Sequence, residues 1–214
     1  KGTRVITVNG KKNFVAGCEF TVIPDRIEAG TFLIAAGMIG GNITLENVNP
    51  DHLASVITKL RATGSTINYT NDSIHIISSS KVKPIDITTA PYPGFPTDLQ
   101  AQWMAMMTIA KGSSLIIDEI YHDRFTHIAE LTRFGAQISL TANRAQITGV
   151  SALKGAPVMS TDIRASASLL IGALAAEGKS EISRVYHIDR GYEKIEEKFI
   201  GLGCNVTRVK EGNK

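Results

Sequence analysis

Cysteine is scarce in this sequence of 214 residues, and no motif places its thiols together. Cys18 and Cys204 lie far apart and belong to no C-x-x-C pair. Metal binding and dithiol redox chemistry therefore have little support, and two single thiols favour a reducing, cytoplasmic setting. The sequence also lacks the G-x-x-x-x-G-K-[ST], G-x-G-x-x-G, H-E-x-x-H and G-x-S-x-G motifs, which removes the commonest nucleotide-binding, zinc-protease and esterase interpretations.

Long apolar runs and a surplus of one charge are missing as well. The 23 basic and 20 acidic residues are interspersed and give a net charge of +3, so a nucleic-acid-binding module is weakly supported. The longest apolar stretches, residues 32–39, 103–110 and 168–176, are far shorter than the ~20 residues of a membrane-spanning helix. These stretches are expected to be buried helices, with no membrane span.

A unit of about 70 residues occurs three times in the chain, a period typical of a small folded unit rather than a solenoid turn. Each copy closes on the pattern L/F-x-x-x-G-x-x-I/V, at Leu60–Gly64–Ile67, Leu131–Gly135–Ile138 and Phe199–Gly203–Val206. The repeats span roughly residues 25–90, 91–156 and 157–214, which together form one predicted domain. Residues 1–24 look like paired connecting strands of a preceding unit, which favours a chain that once continued upstream.

Each repeat contains a charge-poor helix followed by a glycine turn, a strand-like run and an amphipathic helix. The charge-poor helices are predicted at Ile27–Ile39, Leu99–Ala110 and Ile163–Ala176. Because such a helix is apolar on every face, it must be enclosed on all sides. Paired strand-like runs follow the amphipathic helices of the first two repeats, and a single run at Thr207–Val209 follows the third. The predicted class is α/β (α+β), with the charge-poor helices buried.

Two acidic residues stand where the second and third buried helices begin. Asp98 and Asp162 each follow a threonine, and both residue types are favoured as helix N-caps. Arg164 lies in the first turn of an otherwise uncharged helix, where a guanidinium must be paired or must face an anion. A structural ion pair with Asp162 or Asp189 and a ligand-binding role are both compatible with the sequence.

Two further arginines occupy matching places in successive repeats. Arg124 and Arg190 each stand twelve residues after the turn glycine of their repeat, Gly112 and Gly178. Equivalent positions of a repeat approach equivalent places in space, so both could converge with Arg164 on one polyanion, because guanidinium groups grip phosphate and carboxylate bidentately. The nearby histidines, His122 and His187, are interpreted as hydrogen-bonded structural residues.

Four motifs in order resemble the C-terminal half of the UDP-N-acetylglucosamine 1-carboxyvinyltransferase family, which belongs to the EPSP synthase superfamily of enolpyruvyl transferases. They are FPTDLQAQ (95–102), DRFTHIAELTRFGA (123–136), TDIRASASLL (161–170) and YHIDRGYEKIEEKFIGLG (186–203). The resemblance implies a domain of three βαβαββ-type units, with helices buried inside and sheets outside. It also implies transfer of the enolpyruvyl group of phosphoenolpyruvate to the 3-hydroxyl of UDP-N-acetylglucosamine, the first committed step of peptidoglycan synthesis.

The same resemblance implies roles for individual residues. Asp98 would hold the sugar 3-hydroxyl as candidate general base, although a helix start lowers its basicity. Ile120 and Tyr121 would contact the nucleotide sugar, and Asp162 would be a second acid. Arg124 and Arg164 would orient the phosphoenolpyruvate carboxylate, and Arg190 would meet its phosphate. No metal or cofactor is implied.

The family's N-terminal half carries a cysteine-bearing loop whose motif matches neither Cys18 nor Cys204. The expected partner is therefore that half of the same enzyme, and this chain alone should fold but have little turnover. Two alternatives remain open: the sister 3-phosphoshikimate 1-carboxyvinyltransferase, and a non-catalytic paralogue that binds a nucleotide sugar.

Overall fold

The structure is a computed structural model that describes residues 5–11, 17–79 and 81–209. In chain order the helices are α1 (Arg26–Ile39), α2 (Ala54–Thr63), α3 (Gln100–Met107), α4 (His127–Arg133), α5 (Ile163–Ala175), α6 (Tyr186–Asp189) and α7 (Ile195–Gly201). The strands are β1 (Gly41–Glu46), β2 (Thr66–Tyr69), β3 (Ser73–Ser78), β4 (Ile87–Thr88), β5 (Ser113–Ile117), β6 (Gln137–Thr141), β7 (Arg144–Thr148), β8 (Pro157–Met159) and β9 (Glu181–Ser183). Two 3₁₀ turns, Pro50–Leu53 and Thr97–Leu99, precede α2 and α3.

Helices α1, α3 and α5 form the centre of the molecule and pack on one another. All residues of α3 are buried, and α1 is buried along nearly its whole length. Apolar side chains occur on every face of these helices, so only an enclosed position removes this surface from water. The predicted arrangement of helices inside and sheets outside is confirmed.

Three small sheets lie outside these helices in the described part of the chain. The first has the order β1-β3-β2 and is antiparallel throughout. The second has the order β4-β5-β7-β6, in which β4 and β5 are parallel, and the third is the parallel pair β8-β9. Strands β4 and β8 have two and three residues, too few to show the alternating pattern that reveals a strand in sequence.

The glycine of the repeated signature has one structural reason in all three copies. Gly64, Gly135 and Gly203 follow α2, α4 and α7, with φ angles of 111°, 91° and 88°. Residues with a Cβ rarely adopt such angles, so glycine lets the chain leave the helix and turn into the next segment. The signature therefore marks the end of each amphipathic helix.

Two predicted segments differ from the structure. Residues 5–11 and 17–24 contain no strand, and the rest of the predicted paired strands, at 12–16, lies outside the described residues. Thr207–Val209 is not a strand either. A strand is stabilised by hydrogen bonds to a neighbouring strand, and the three sheets of the described residues include neither segment. The side chains of Ile6 and Phe20 are 91% and 82% exposed. The repeat boundaries near residues 25, 91 and 157 stay a prediction.

Candidate active site

The beginnings of α3 and α5 lie side by side and bring three charged side chains together. Asp98, in the turn before α3, accepts a hydrogen bond from Arg124, with 2.6 Å between Oδ1 and Nη1. Arg164, in the first turn of α5, places Nε 3.4 Å from the same oxygen. We call these three residues the Asp98 cluster. Each side chain remains partly exposed, so the cluster can be reached from solvent.

The two arginines keep Asp98 ionised. Burial alone would raise the pKa of this carboxyl group, but the hydrogen bond from Arg124 and the charge of Arg164 outweigh it. The net result is a pKa below the ordinary value of 3.8. Asp98 is therefore a carboxylate at neutral pH, able to accept a proton although its basicity is weak.

The capping interpretation is correct for Asp162 and wrong for Asp98. Oδ1 of Asp162 accepts the backbone N–H groups of Arg164 and Ala165 at 2.8 and 2.9 Å, as an N-cap does. Asp98 makes no side-chain cap bond, because Arg124 takes its carboxylate instead. Oδ2 of Asp162 lies 3.5 Å from the Thr126 hydroxyl, so one oxygen remains at the edge of the site.

Arg164 forms its ion pair with Asp98, so the predicted alternatives, Asp162 and Asp189, are wrong as partners. Asp162 is occupied by helix capping, and Asp189 pairs with Arg208. The sequence could not show this, because the partner of Arg164 comes from another repeat.

A buried polar network lies against Arg164. The Tyr192 hydroxyl is 2.8 Å from the Thr31 hydroxyl of α1, and the Gln102 amide of α3 donates to both. Burial raises the pKa of the Tyr192 phenol, against the opposing effects of Thr31 and Arg164, so this phenol stays protonated. All three repeats therefore contribute a polar side chain beneath the cluster, and none of the three was singled out from the sequence.

Arg190 joins the same region through its backbone. The neighbouring Gly191 lies so close to the start of α5 that an added Cβ would stand 2.6 Å from Cγ2 of Ile163 and 3.8 Å from Nη1 of Arg164. The Arg190 side chain is exposed and has no ion pair within the described ranges. Its predicted convergence with Arg124 and Arg164 on one anion stays a proposal.

The loop between β5 and α4 holds the predicted nucleotide-sugar contacts. The side chains of Ile120 and Tyr121 are 43% and 56% exposed, and the Arg124 guanidinium stands 5.2 Å above the Tyr121 ring. That distance suits a cation–π contact. Both predicted contact residues therefore sit beside the Asp98 cluster and remain accessible.

Asp118, which directly follows β5, was not identified as a site residue from the sequence. Its side chain is fully buried and accepts hydrogen bonds from Thr89, Thr97 and the backbone of this loop. A buried carboxylate with so many donors is a strong local organiser. The signal available in the sequence was a difference between repeats. Asp118 stands six residues after Gly112, whereas the corresponding position of the third repeat, six residues after Gly178, is Arg184.

The histidines behave differently from one another. His122 is exposed, whereas both ring nitrogens of His187 are buried without a hydrogen-bond partner in the described part of the chain. The His187 ring lies 4.3 Å from that of Tyr186. The interpretation of His187 as a hydrogen-bonded residue is therefore wrong.

A third histidine, His127, predicts a stability change at mildly acidic pH. It is 1% exposed, and burial, opposed by Asp162 and assisted by Arg124, lowers its pKa from 6.5 to about 4. The unfolded chain binds a proton on this histidine at a higher pH than the folded protein does. The contribution of neutral His127 to the free energy of unfolding is therefore fully present above pH ~6.5, and it falls by roughly 3 kcal/mol as the pH drops toward ~4. Urea unfolding at pH 7 and pH 5 of the wild type and His127→Gln measures this slope. An unchanged slope in the variant would contradict the assignment.

Two other kinds of site, a metal site and a reactive thiol, have little support in the described residues. No group of three metal-ligating side chains occurs among the residues that the structure describes. Cys18 is exposed, and burial raises the pKa of the Cys204 thiol, which disfavours the reactive thiolate. Among the described helices none is long and apolar enough to cross a membrane.

Solved structures define the class to which this architecture belongs. The enolpyruvyl transferase NikO from Streptomyces tendae superposes with a TM-score of 0.78 at 26% identity, over 87% of this chain and 44% of that one. An EPSP synthase from Acinetobacter baumannii gives a TM-score of 0.67 at 19% identity, over 85% of this chain and 46% of its own, and shows the fold alone. The fold is that of the enolpyruvyl transferases.

Sequence comparison gives the family. The family model described as EPSP synthase (3-phosphoshikimate 1-carboxyvinyltransferase) matches residues 1–199, so the chain belongs to that family. Proteins named UDP-N-acetylglucosamine 1-carboxyvinyltransferase are similar to it: one from Methylacidiphilum infernorum is 50% identical over 97% of this chain, and one from Caldanaerobacter subterraneus is 51% identical over 97%. These alignments cover 49% and 50% of the relatives, so the chain spans about half their length.

Proposed function

We propose that this chain forms one half of an enzyme that transfers the enolpyruvyl group of phosphoenolpyruvate to the 3-hydroxyl of UDP-N-acetylglucosamine. The observation that carries the proposal is Asp98 held between Arg124 and Arg164 where two buried helices begin. Identity of about 50% to proteins named for this acceptor supports it. In a bacterial cell this reaction would begin peptidoglycan synthesis.

The cations suit the chemistry of the donor. Phosphoenolpyruvate is a compact polyanion, and guanidinium groups bind its carboxylate and phosphate in bidentate fashion. Arg124 and Arg164 would orient the carboxylate, and Arg190 would meet the phosphate. When the phosphate leaves, fixed cations stabilise the charge that develops on it.

The reaction requires three proton transfers, because the acceptor hydroxyl loses a proton and C3 of phosphoenolpyruvate first gains one and later loses one. The acceptor hydroxyl oxygen bonds to C2 of phosphoenolpyruvate while C3 takes up a proton; the C2–O bond to phosphate then breaks as C3 loses a proton. Asp98 would accept the hydroxyl proton, for which its ionised state is required. Asp162, with one oxygen committed to capping, would supply a second acidic oxygen near the substrate. Ile120 and Tyr121 would border the nucleotide sugar.

The other half of the relatives' length would supply the opposite wall of the cleft. On this proposal the present chain by itself has little turnover, and the complete protein carries the activity. The Asp98 cluster is accessible to solvent as an open half-site would be.

The deciding experiment is a phosphate-release assay on the complete protein, in which this chain is joined to the other half. We call it the joined protein. We expect release that depends on both phosphoenolpyruvate and UDP-N-acetylglucosamine, and almost none from residues 1–214 alone. Full activity of the isolated chain would contradict the half-site, and absence of activity with that acceptor in the joined protein would contradict the reaction.

Shikimate 3-phosphate is the second candidate acceptor, because the matching family model is described by that activity. The same assay with this acceptor separates the two substrates. A joined protein that binds UDP-N-acetylglucosamine by calorimetry but consumes no phosphoenolpyruvate would instead support the non-catalytic paralogue.

A further inference from the structure

Asp118 joins two parts of the candidate site that the chain builds from separate segments. It follows β5, at the carboxyl end of the parallel pair β4–β5, and its side chain is fully buried. In open α/β sheets this is the edge at which ligands bind. None of the roles proposed above belongs to Asp118.

The two carboxylate oxygens of Asp118 serve different partners. Oδ1 accepts the backbone N–H groups of Ile120 and Tyr121 at 3.0 and 2.9 Å and the Thr89 hydroxyl at 2.7 Å. Oδ2 accepts the Thr97 hydroxyl at 2.7 Å. One oxygen therefore fixes the loop that would border the nucleotide sugar, and the other reaches toward α3.

Thr97 carries the connection to the Asp98 cluster. Nη1 of Arg124 donates to Asp98 at 2.6 Å and approaches the Thr97 hydroxyl oxygen at 3.4 Å. Since the Thr97 hydrogen points to Asp118, its oxygen is free to accept from Arg124. Such a chain of bonds polarises each member and sets the plane of the guanidinium.

Tyr121, in the loop that Asp118 anchors, also contacts Arg124. The Tyr121 ring lies under the Arg124 guanidinium at 5.2 Å, and the Tyr121 carbonyl accepts the Arg124 backbone N–H at 3.1 Å. Asp118 thus constrains Arg124 by two routes, through Thr97 and through Tyr121. In the third repeat Arg184 takes the corresponding position, so that repeat lacks this carboxylate.

We infer that Asp118 is a positioning residue that, through the Thr97 hydroxyl, orients Arg124 for phosphoenolpyruvate while holding the acceptor loop in place. This inference rests on the proposed function. Loss of a supporting bond can misplace a reacting group by a fraction of an ångström, which lowers turnover without removing any group that touches substrate.

The test compares two threonines that bond to the same carboxylate in the joined protein. Thr97→Val removes the hydroxyl that connects Asp118 to Arg124, whereas Thr89→Val removes one that donates to Asp118 and accepts the Glu119 backbone N–H but makes no bond to Arg124. Both leave the buried Asp118 carboxylate with one donor fewer, and Thr89→Val also removes the acceptor of the Glu119 N–H, so its melting temperature should fall by at least as many degrees as that of Thr97→Val. Thr97→Ser keeps the hydroxyl and serves as the conservative rescue.

We expect Thr97→Val to lower kcat and raise KM for phosphoenolpyruvate, so that kcat/KM falls roughly 10- to 100-fold, with KM for the nucleotide sugar unchanged. Thr89→Val should stay within about twofold of wild type and Thr97→Ser should recover most activity. Equal losses in Thr97→Val and Thr89→Val would overturn the inference and leave the proposed function intact. A wild-type protein without transferase activity would instead contradict the proposed function and remove the basis of the inference.

Discussion

Replacement of Arg124 by alanine in the joined protein is expected to lower kcat/KM for phosphoenolpyruvate by roughly 10²- to 10³-fold, the usual cost of losing one fixed donor to a developing charge. Arg124 makes the shortest contact of the Asp98 cluster, at 2.6 Å, and its side chain is only 27% exposed. A guanidinium in that position meets substrate with little competition from water. Steady-state kinetics with phosphoenolpyruvate as the varied substrate measures the loss.

The same variant makes a second, independent prediction about pH. Arg124 is the strongest influence that lowers the pKa of Asp98, acting against burial. Without it the carboxylate is less stabilised, so its pKa rises and the acidic limb of the kcat/KM profile moves to higher pH. A merely structural defect would lower the whole profile without moving this limb.

Arg133→Ala is the matched control. Arg133 lies on α4, 53% exposed, and donates to the carbonyl of Pro157 outside the cluster. Its removal should leave both the rate and the pH profile within about twofold of wild type, as surface changes usually do. A similar loss in both variants would show that any missing arginine of this domain has the same effect, against a specific role for Arg124.

Composition and periodicity were enough to predict where the buried helices lie, because burial on every face leaves a direct mark on the sequence. Ile27–Ile39 was predicted and α1 is Arg26–Ile39; Ile163–Ala176 was predicted and α5 is Ile163–Ala175. The signature glycines were found for a similarly local reason, since a positive φ favours one residue type. Local causes of this kind can be read from one chain.

Pairings between residues far apart in the sequence could not be predicted in the same way. Asp98 and Asp162 stand in almost identical local sequences, yet one binds two arginines and the other caps a helix. The difference depends on Arg124, which reaches Asp98 from a loop 26 residues away. Asp118 was missed for the same reason, because its donors Thr89 and Thr97 come from outside its own segment.

The three repeats have diverged into different duties around one site. Repeats two and three supply the Asp98 cluster, while repeat one contributes Thr31 to the polar network behind Arg164. Where the later repeats have arginine, repeat one has His52 and Leu53, of which His52 lies near Asn49 and the Tyr92 ring. The repeated fold brings the beginnings of helices from different repeats together. The residues at these beginnings differ between repeats, and this difference decides which of them are charged.

Asp98→Asn should have the largest effect of any single change, a fall in kcat of about 10²- to 10⁴-fold if the carboxylate accepts the proton of the acceptor hydroxyl. Asparagine has nearly the same shape and can still accept the hydrogen bond from Arg124, but it cannot take up a proton. The variant therefore keeps most of the geometry of the Asp98 cluster and loses the ability to accept the hydroxyl proton. Initial rates at saturating concentrations of both substrates isolate kcat.

The low pKa of Asp98 makes the opposite outcome informative. If the carboxylate serves only as the ion-pair partner of Arg124 and Arg164, its neutralisation leaves both cations available to bind the substrate anion. KM for phosphoenolpyruvate would then fall with kcat little changed, and the general-base role would be wrong. Asp86→Asn supplies the matched control, since Asp86 accepts the Leu115 backbone N–H at 2.8 Å, a bond that asparagine can retain. Only a loss confined to position 98 assigns the proton transfer to this cluster.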